Sequence, residues 1–231
     1  MPLPLRFAIV LALAATVASP HAHAQVAPSD AEVRAYQGLH AAAAAGNVAE
    51  LERLLAAGAD REARDGNGRT PLHVAVYRKQ RDAARLLLAK GANANALDRQ
   101  RYDVVTIAAV ADDVPTLKLV LEGGASAKNV TSPYDGTALI AAAHLGHVEV
   151  VRTLIKAGAP LDHVNNLTWT ALMESIVLGD GGRRHTETLR ALVQAGANVN
   201  IPDRAGITPL AHARGRGYKE IVAILEKAGG R

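Results

Sequence analysis

The sequence predicts an all-α solenoid of about six helix-turn-helix units, and three observations lead to that fold. Two columns of residues recur with a period close to 33, and each period carries the start and stop signals of two short helices. The composition agrees: 49% of the 231 residues are hydrophobic but only 3% are aromatic. A core of Ala, Leu, Val and Ile suits closely packed helices better than a β-sandwich, in which branched and aromatic residues lead.

The repeat is visible in two independent columns. A glycine that follows an apolar segment and precedes an alanine recurs with spacings of 33, 33, 34 and 38 residues, at Gly58, Gly91, Gly124, Gly158 and Gly196. An apolar position upstream recurs in the same way, at Leu39, Leu72, Val105, Leu139, Leu172 and Leu210. A shared period of this length indicates stacked supersecondary units.

The second unit shows each element in order. Residues 65–68, Asp-Gly-Asn-Gly, form a turn signal. Thr70 is expected to cap the first helix and Pro71 to occupy its first position, where a missing N–H costs nothing. A second apolar segment follows and stops at Gly91. Helices of two to three turns are marginal alone, so stacked neighbours must bury the shared face.

These motifs resemble the ankyrin repeat. Gly68-x-Thr70-Pro71-Leu72-His73-x-Ala75 and Gly206-x-Thr208-Pro209-Leu210 follow its pattern, as do the Gly-Ala endings. The resemblance covers about residues 31–231 and implies a curved stack of antiparallel helix pairs with projecting hairpins. Six repeats are expected over residues 36–231, starting near residues 36, 68, 101, 135, 168 and 206.

Three repeats depart from the pattern. Repeat 3 has Asp103 where Thr-Pro-Leu would begin, and aspartate still caps a helix. Repeat 4 has one extra residue in its hairpin. Repeat 5 has about five extra residues, within residues 179–185, between its two helices. We expect that insertion to be an exposed turn, because surface loops tolerate added length.

The N-terminus reads as a secretory signal peptide over residues 1–24. Arg6 precedes an apolar run over residues 7–17, and an Ala-x-Ala cleavage site ends at Ala24. The run has 11 residues, too short to span about 30 Å of hydrocarbon. Residues 25–35 are expected to be a linker. With no cysteine for a lipid anchor or a disulfide, the cleaved chain is expected in the periplasm as a monomer without a membrane anchor.

The sequence offers no catalytic constellation, and we expect neither a metal nor a cofactor. The resemblance implies that His40 and His73 bond to neighbouring backbone. His144 and His147 are three residues apart, but Gly146 lies between them and no acid or cysteine completes a metal shell. The segment GDGGRRH lacks the GK[ST] element of a phosphate loop. The net charge of +4 is too small to indicate nucleic-acid binding.

The resemblance implies that a partner protein binds the concave face, which hairpin tips and first helices form. The hairpin column between Gly and Thr is expected to be exposed, and aromatic and arginine side chains are typical of binding hot spots. For Trp169, packing against a neighbouring hairpin remains the alternative. The candidate partner-binding residues are Arg69, Tyr77, Arg78, Tyr102, His144, Trp169, Val177 and Leu178. Arg69, Arg78, Arg99 and Arg101 give the N-terminal half a basic edge that favours an acidic partner, although a solvated face explains it nearly as well.

The predicted function is therefore a non-enzymatic scaffold that binds another protein in the periplasm. At the level of the family, that partner is suggested to be a periplasmic stress-defence enzyme such as a catalase. Two alternatives remain: a small-ligand or metal-binding protein that uses the insertion of repeat 5, and a secreted effector that acts on host proteins.

Glu174 is the one acidic residue at a position where other repeats have Val74, Ile107 and Ala141. A lone buried carboxylate is costly. We therefore expect Arg183, Arg184 or His185 of the insertion to pair with it.

Overall fold

The computed structural model describes residues 25–231, so the predicted signal peptide at 1–24 lies outside the described residues. This part of the chain forms thirteen helices and no named strand, and its one isolated bridge joins Thr131 to Gly136. The predicted all-α solenoid is confirmed. None of the helices in residues 25–231 has the length and apolar character needed to span a bilayer.

Six helix pairs follow a short helix α1, Asp30–Ala35. The first helices of the six pairs are α2 Gly38–Ala45, α4 Pro71–Tyr77, α6 Val104–Val110, α8 Ala138–His144, α10 Ala171–Val177 and α12 Pro209–Gly215. The second helices are α3 Val48–Ala56, α5 Arg81–Ala89, α7 Val114–Glu122, α9 Val148–Lys156, α11 Arg183–Gln194 and α13 Lys219–Lys227. First helices pack on first helices and second helices on second helices, which gives two layers.

The first helices begin where the sequence places their caps. The Thr70 and Asp103 side chains accept the backbone N–H groups of His73 and Thr106, as predicted. Thr137, Thr170 and Thr208 cap the first helices of repeats 4, 5 and 6 in the same way. Each cap satisfies a backbone donor that a short helix would otherwise leave without a partner, and is worth about 1 kcal/mol.

The core runs continuously between the two layers. The recurring apolar column is its centre: Leu72, Leu139 and Leu172 are fully buried. Burying one such side chain contributes about 2 kcal/mol. Alanine is frequent in α2 and α8, and the small buried side chains of Ala43, Ala142 and Ala143 let neighbouring helices pack closely.

Backbone hydrogen bonds join successive hairpins. The N–H of Arg99 donates to the carbonyl of Asn67, and the N–H of Ser132 donates to the carbonyl of Arg101. The N–H of Asn166 donates to the carbonyl of Tyr134. The hairpins of repeats 2 to 5 are therefore held in a row beside the first helices.

The segment predicted as a linker, residues 25–35, instead folds onto the first repeats. Ser29 caps α1, and Glu32 pairs with Arg69 of repeat 2. Just after α1, the hydroxyl of Tyr36 donates to Asp65 over 2.6 Å. Glu32 thereby adds a second carboxylate to the buried Arg69, which Asp65 of its own repeat also contacts.

The insertion of repeat 5 is exposed at Asp180 and over residues 182–184, as predicted, but its second half is helical rather than a turn. Helix α11 has 12 residues where the other second helices have nine, so Arg183, Arg184 and His185 form an added helical turn. The Tyr218 ring of repeat 6 packs so closely on Gly181 that a Cβ there would clash with it. The Tyr218 hydroxyl donates to the carbonyl of Gly179 over 2.9 Å. The insertion is thus packed against the next repeat.

Candidate partner-binding surface

Two of the eight predicted binding residues are buried, and their predicted exposure is wrong. Arg69 is 1% exposed. Its Nε donates to Asp65 over 2.8 Å, its Nη2 pairs with Glu32, and its Nη1 reaches the carbonyl of Val26 at 3.4 Å. The hairpin acid and the N-terminal segment together enclose the guanidinium. Arg69 therefore stabilises the N-terminal end of the stack and is not available to a partner.

Tyr102 is 6% exposed and belongs to the continuous core. Its N–H donates to Asp98 Oδ1 over 2.9 Å, which closes the hairpin. Burial is the main cause that raises the pKa of the Tyr102 phenol. A repeat column defines a register along the chain, but it does not define which way a side chain points.

The predicted residues of the first helices are more accessible. In repeat 2, Tyr77 is half-buried and Arg78 is exposed, with its guanidinium 3.9 Å from Asp30. In repeats 4 and 5, His144, Trp169 and Val177 are half-buried. Leu178 is 43% exposed, and Leu145 at the corresponding position of repeat 4 is 38% exposed. We name His144, Leu145, Trp169, Val177 and Leu178 the repeat 4–5 surface.

Exposed large apolar side chains are concentrated in the C-terminal repeats of the stack, which include this surface. Apart from Val26, those in residues 25–231 all lie between residues 130 and 207, namely Val130, Leu145, Val164, Leu167, Leu178 and Ile207. Clustered exposed apolar groups mark interaction sites more often than scattered ones do.

Glu174 lies beneath the repeat 4–5 surface and is 5% exposed. Its Oε1 accepts from Asn165 Nδ2 over 2.8 Å, and its Oε2 lies 3.7 Å from His144 Nδ1. Burial raises the pKa of Glu174 to about 7, although the hydrogen bond from Asn165 acts in the opposite direction. Burial, assisted by the nearby charge of His185, lowers the pKa of His144.

The predicted pairing of Glu174 with the insertion is wrong. Arg184 instead donates to the carbonyl of Gly146 and lies 3.3 Å from Asp112. His185 bonds to Asp180 and to the carbonyl of His144, at 2.8 and 2.9 Å. The added turn of α11 directs these side chains along the inter-helix turns, whereas Glu174 faces the hairpin of its own repeat.

A sequence signal for the actual partner of Glu174 was present. The hairpins of repeats 2, 3 and 6 carry Asp65, Asp98 and Asp203 where repeat 5 has Asn165. A second carboxylate there would repel Glu174, whereas an amide can donate to it. In repeat 6 the same two positions hold Asp203 in the hairpin and His212 in the helix, 2.8 Å apart. There the acid is the hairpin residue, whereas in repeat 5 it is the helix residue. Repeat 5 thus has an asparagine in place of the hairpin aspartate and a glutamate nine residues later.

The hairpin before Trp169 carries backbone strain. Thr168 has a φ of 69°, in the left-handed region, where repeats 2 and 6 have Gly68 and Gly206. A β-branched residue is rare in this region because its Cβ crowds the backbone. The N–H groups of Leu167 and Trp169 both donate to Asn165 Oδ1, which holds the turn in place.

A family model described as "Ankyrin repeats (3 copies)" matches residues 11–98 and 105–203, which is more than half of the chain. The chain belongs to the ankyrin repeat family. Ankyrin repeats generally mediate protein–protein interaction, and members of the family are generally non-enzymatic scaffolds.

Relatives agree with this assignment. The chain is 31% identical over 189 residues to the ankyrin repeat protein YahD of Escherichia coli (strain K12), a match that covers 81% of this chain and 94% of YahD. It is 29% identical to the B-cell lymphoma 3 protein homologue of Mus musculus, covering 83% of this chain but only 43% of that protein. A solved ankyrin repeat domain from Acinetobacter baumannii AYE is 44% identical and superimposes with a TM-score of 0.80, covering 84% of this chain and 98% of that domain.

The histidines of this ankyrin repeat chain mostly bridge neighbouring repeats. The carbonyls of Arg69 and Tyr102 accept from His40 and His73 at 2.9 and 3.2 Å, which confirms the expected backbone contacts. The carbonyls of Ala109 and Asp135 accept from His147 and His163 at 3.0 and 2.7 Å. Across residues 25–231, no three His, Cys, Asp or Glu side chains are grouped so as to hold a metal ion.

Proposed function

We propose that this ankyrin repeat protein is a non-enzymatic scaffold in the periplasm that binds a partner protein through the repeat 4–5 surface. The concentration of exposed apolar side chains between residues 130 and 207 carries the proposal. Leu145 and Leu178 extend from adjacent, packed first-helix ends, and the only tryptophan of the chain precedes α10. Apolar and aromatic groups of this kind are typical of the centre of an interface.

Repeat 5 also departs from the stable pattern in three places. It buries Glu174, keeps Thr168 in a left-handed conformation and exposes Leu178. The first two features, the buried acid and the left-handed threonine, lower the stability of the free protein. Departures from local rules that gather in one place are expected at functional sites, where partner binding compensates for them.

The charges around the surface favour a particular partner. At the helix-end position of Leu145 and Leu178, repeats 2 and 6 carry Arg78 and Arg216, which are both exposed. The row is therefore apolar over repeats 3 to 5, where Ala111 precedes the two leucines, and an arginine flanks this apolar part on each side. The complementary partner is an apolar segment flanked by acidic groups.

Periplasmic residence is supported by the apolar run at residues 7–17 and the Ala-x-Ala site that ends at Ala24. Its test is the mass of the exported chain. Cleavage after Ala24 gives residues 25–231, whereas an uncleaved chain recovered only from the cytoplasm would contradict the proposal.

The binding proposal is tested by capture from the exported fraction with three forms of the protein. Wild type and Val26→Ser, which alters an exposed apolar residue far from the surface, should recover the same partner. The double variant Leu145→Ser/Leu178→Ser should lose it, because the centre of the contact is removed. Equal recovery by all three would show that the partner binds elsewhere.

A further inference from the structure

Glu174 is a buried acid without a counter-charge, and it lies directly under a residue of the repeat 4–5 surface. No Lys or Arg side chain of residues 25–231 forms an ion pair with it. Its closest titratable neighbour is His144, whose Nδ1 is 3.7 Å from Oε2 and whose side chain is 36% exposed. Whatever covers His144 therefore changes the surroundings of the Glu174 carboxyl group as well.

The elements that pack on α10 bring no compensating cation to this carboxyl group. Helix α8 contributes His144 itself. Helix α11 contributes His185, which bonds to Asp180 and the His144 carbonyl, and Arg184, which turns to Asp112. Helix α12 contributes His212, which bonds to Asp203. The hairpin of repeat 5 contributes only the neutral Asn165.

We propose that partner binding at the repeat 4–5 surface is coupled to proton uptake by the Glu174–His144 pair. This inference rests on the proposed function. Apolar partner side chains placed over His144 and Leu178 would displace the water that still reaches the pair. Removing water disfavours an uncompensated carboxylate and favours the neutral carboxyl group, so the complex holds the proton more tightly than the free protein does.

The direction of the pH dependence follows from this. Burial already raises the pKa of Glu174 to about 7, so the free protein exchanges this proton near neutrality. Since the complex binds the proton more tightly, affinity increases as the pH falls through neutrality. A rise of one unit in the pKa of the complex gives up to about a tenfold gain between about pH 8.5 and pH 6. A partner that presented a lysine or arginine to Glu174 would stabilise the carboxylate and reverse the sign.

The experiment uses the full chain and peptides selected from a displayed random library. Peptides that bind wild type but not Leu178→Ser are kept, and those without histidine are measured at about pH 6 and about pH 8.5. Wild type should bind several-fold more tightly at the lower pH. Glu174→Gln should bind with the same affinity at both. Glu149→Gln, an exposed glutamate on α9, serves as the matched control and should retain the wild-type dependence.

Each outcome separates the two proposals. Peptides that require Leu178 but bind wild type equally at both pH values, or more tightly at the higher one, would overturn the proton coupling and leave the surface intact. If no selected peptide requires Leu178, the repeat 4–5 surface itself fails, and the coupling fails with it.

Discussion

Repeats 2 and 5 share one architecture but differ in the residues at its turn, hairpin and core positions. Repeat 2 has a glycine at the left-handed turn position and a hairpin arginine that is buried against two acids. It also has a capping box between Thr70 and His73, and an apolar Val74 in the core. Repeat 5 has Thr168 at the turn, the half-buried Trp169 in the hairpin and a buried acid at the position of Val74.

The comparison shows which departures from the repeat pattern serve stability and which do not. In repeat 2, the polar groups satisfy one another and attach the N-terminal segment. In repeat 5, strain, a buried acid and exposed leucines occur together, and no Lys or Arg of the described residues forms an ion pair with the acid. The two repeats should therefore respond differently to substitution.

The largest effect is expected from Arg69→Ala in repeat 2. The change leaves the largely buried Asp65 carboxylate without its cation and releases Glu32 from its contact. Breaking one side of a buried pair costs about 3–5 kcal/mol. Urea unfolding followed by circular dichroism should show this loss. Arg53→Ala, which removes an exposed arginine paired three residues away, should leave the stability nearly unchanged. Similar losses for both variants would contradict the role given to Arg69.

Glu174→Gln in repeat 5 should do the reverse and stabilise the protein at pH 8. The pKa of this carboxyl group rises from its ordinary value of 4.5 to about 7 on folding, so the folded chain keeps a proton that the unfolded chain has lost. Stability therefore falls as the pH rises from 4.5 to 7, and the full penalty, about 3 kcal/mol at most, is present above 7. Glutamine removes that penalty.

The measurement is urea unfolding of wild type and Glu174→Gln at pH 4 and pH 8. The variant should be more stable at pH 8, by about 1–3 kcal/mol, and nearly equal to wild type at pH 4. A loss of stability at pH 8 would mean that Glu174 forms a stabilising ion pair with a protonated His144.

A smaller gain is expected from Thr168→Gly, which should stabilise the protein by about 1 kcal/mol because glycine adopts the left-handed conformation without strain. The reciprocal change, Gly206→Thr in repeat 6, should cost about the same. A Cβ at Gly206 would meet nothing within 4 Å, so only backbone strain is added there. Thermal unfolding of the two variants measures both effects. Thr168→Gly would contradict the comparison if it destabilised the protein.

The smallest effect is expected from Arg184→Ala in the insertion. Its side chain is 62% exposed, and its guanidinium lies 3.3 Å from Asp112, two repeats away. An exposed pair of this kind contributes about 0.5 kcal/mol. Denaturant unfolding monitored through Trp169 should show a loss of that size, and a loss of several kcal/mol would mean that the insertion holds the stack together.

The sequence predicted the stack and its caps because these depend on local signals that recur. Thr70 and Asp103 cap the helices for which they were proposed. The directions of side chains depend on contacts between repeats, which a repeat column does not encode. Arg69 is buried because residues 25–36 fold back on it, and Tyr102 because its hairpin closes over the core.

The sequence predicts the partner of Glu174 only when two repeat positions, those of residues 165 and 174, are compared together. The exchange of Asp for Asn at position 165 is meaningful once Glu174 is seen nine residues later. The extra turn of α11 has no counterpart in the other repeats, so the repeat pattern does not predict it, although Arg183, Arg184 and His185 continue directly into the second helix.

Hydroxyl-radical footprinting of the protein, free and bound to its captured partner, tests the central claim most directly. If the partner covers the repeat 4–5 surface, Trp169, Leu145 and Leu178 should lose reactivity in the complex. Val26 and Tyr77, near the N-terminal end of the stack, should keep theirs. Protection of Val26 and Tyr77, with Trp169 and Leu178 unchanged, would contradict the claim and place the partner on the N-terminal repeats.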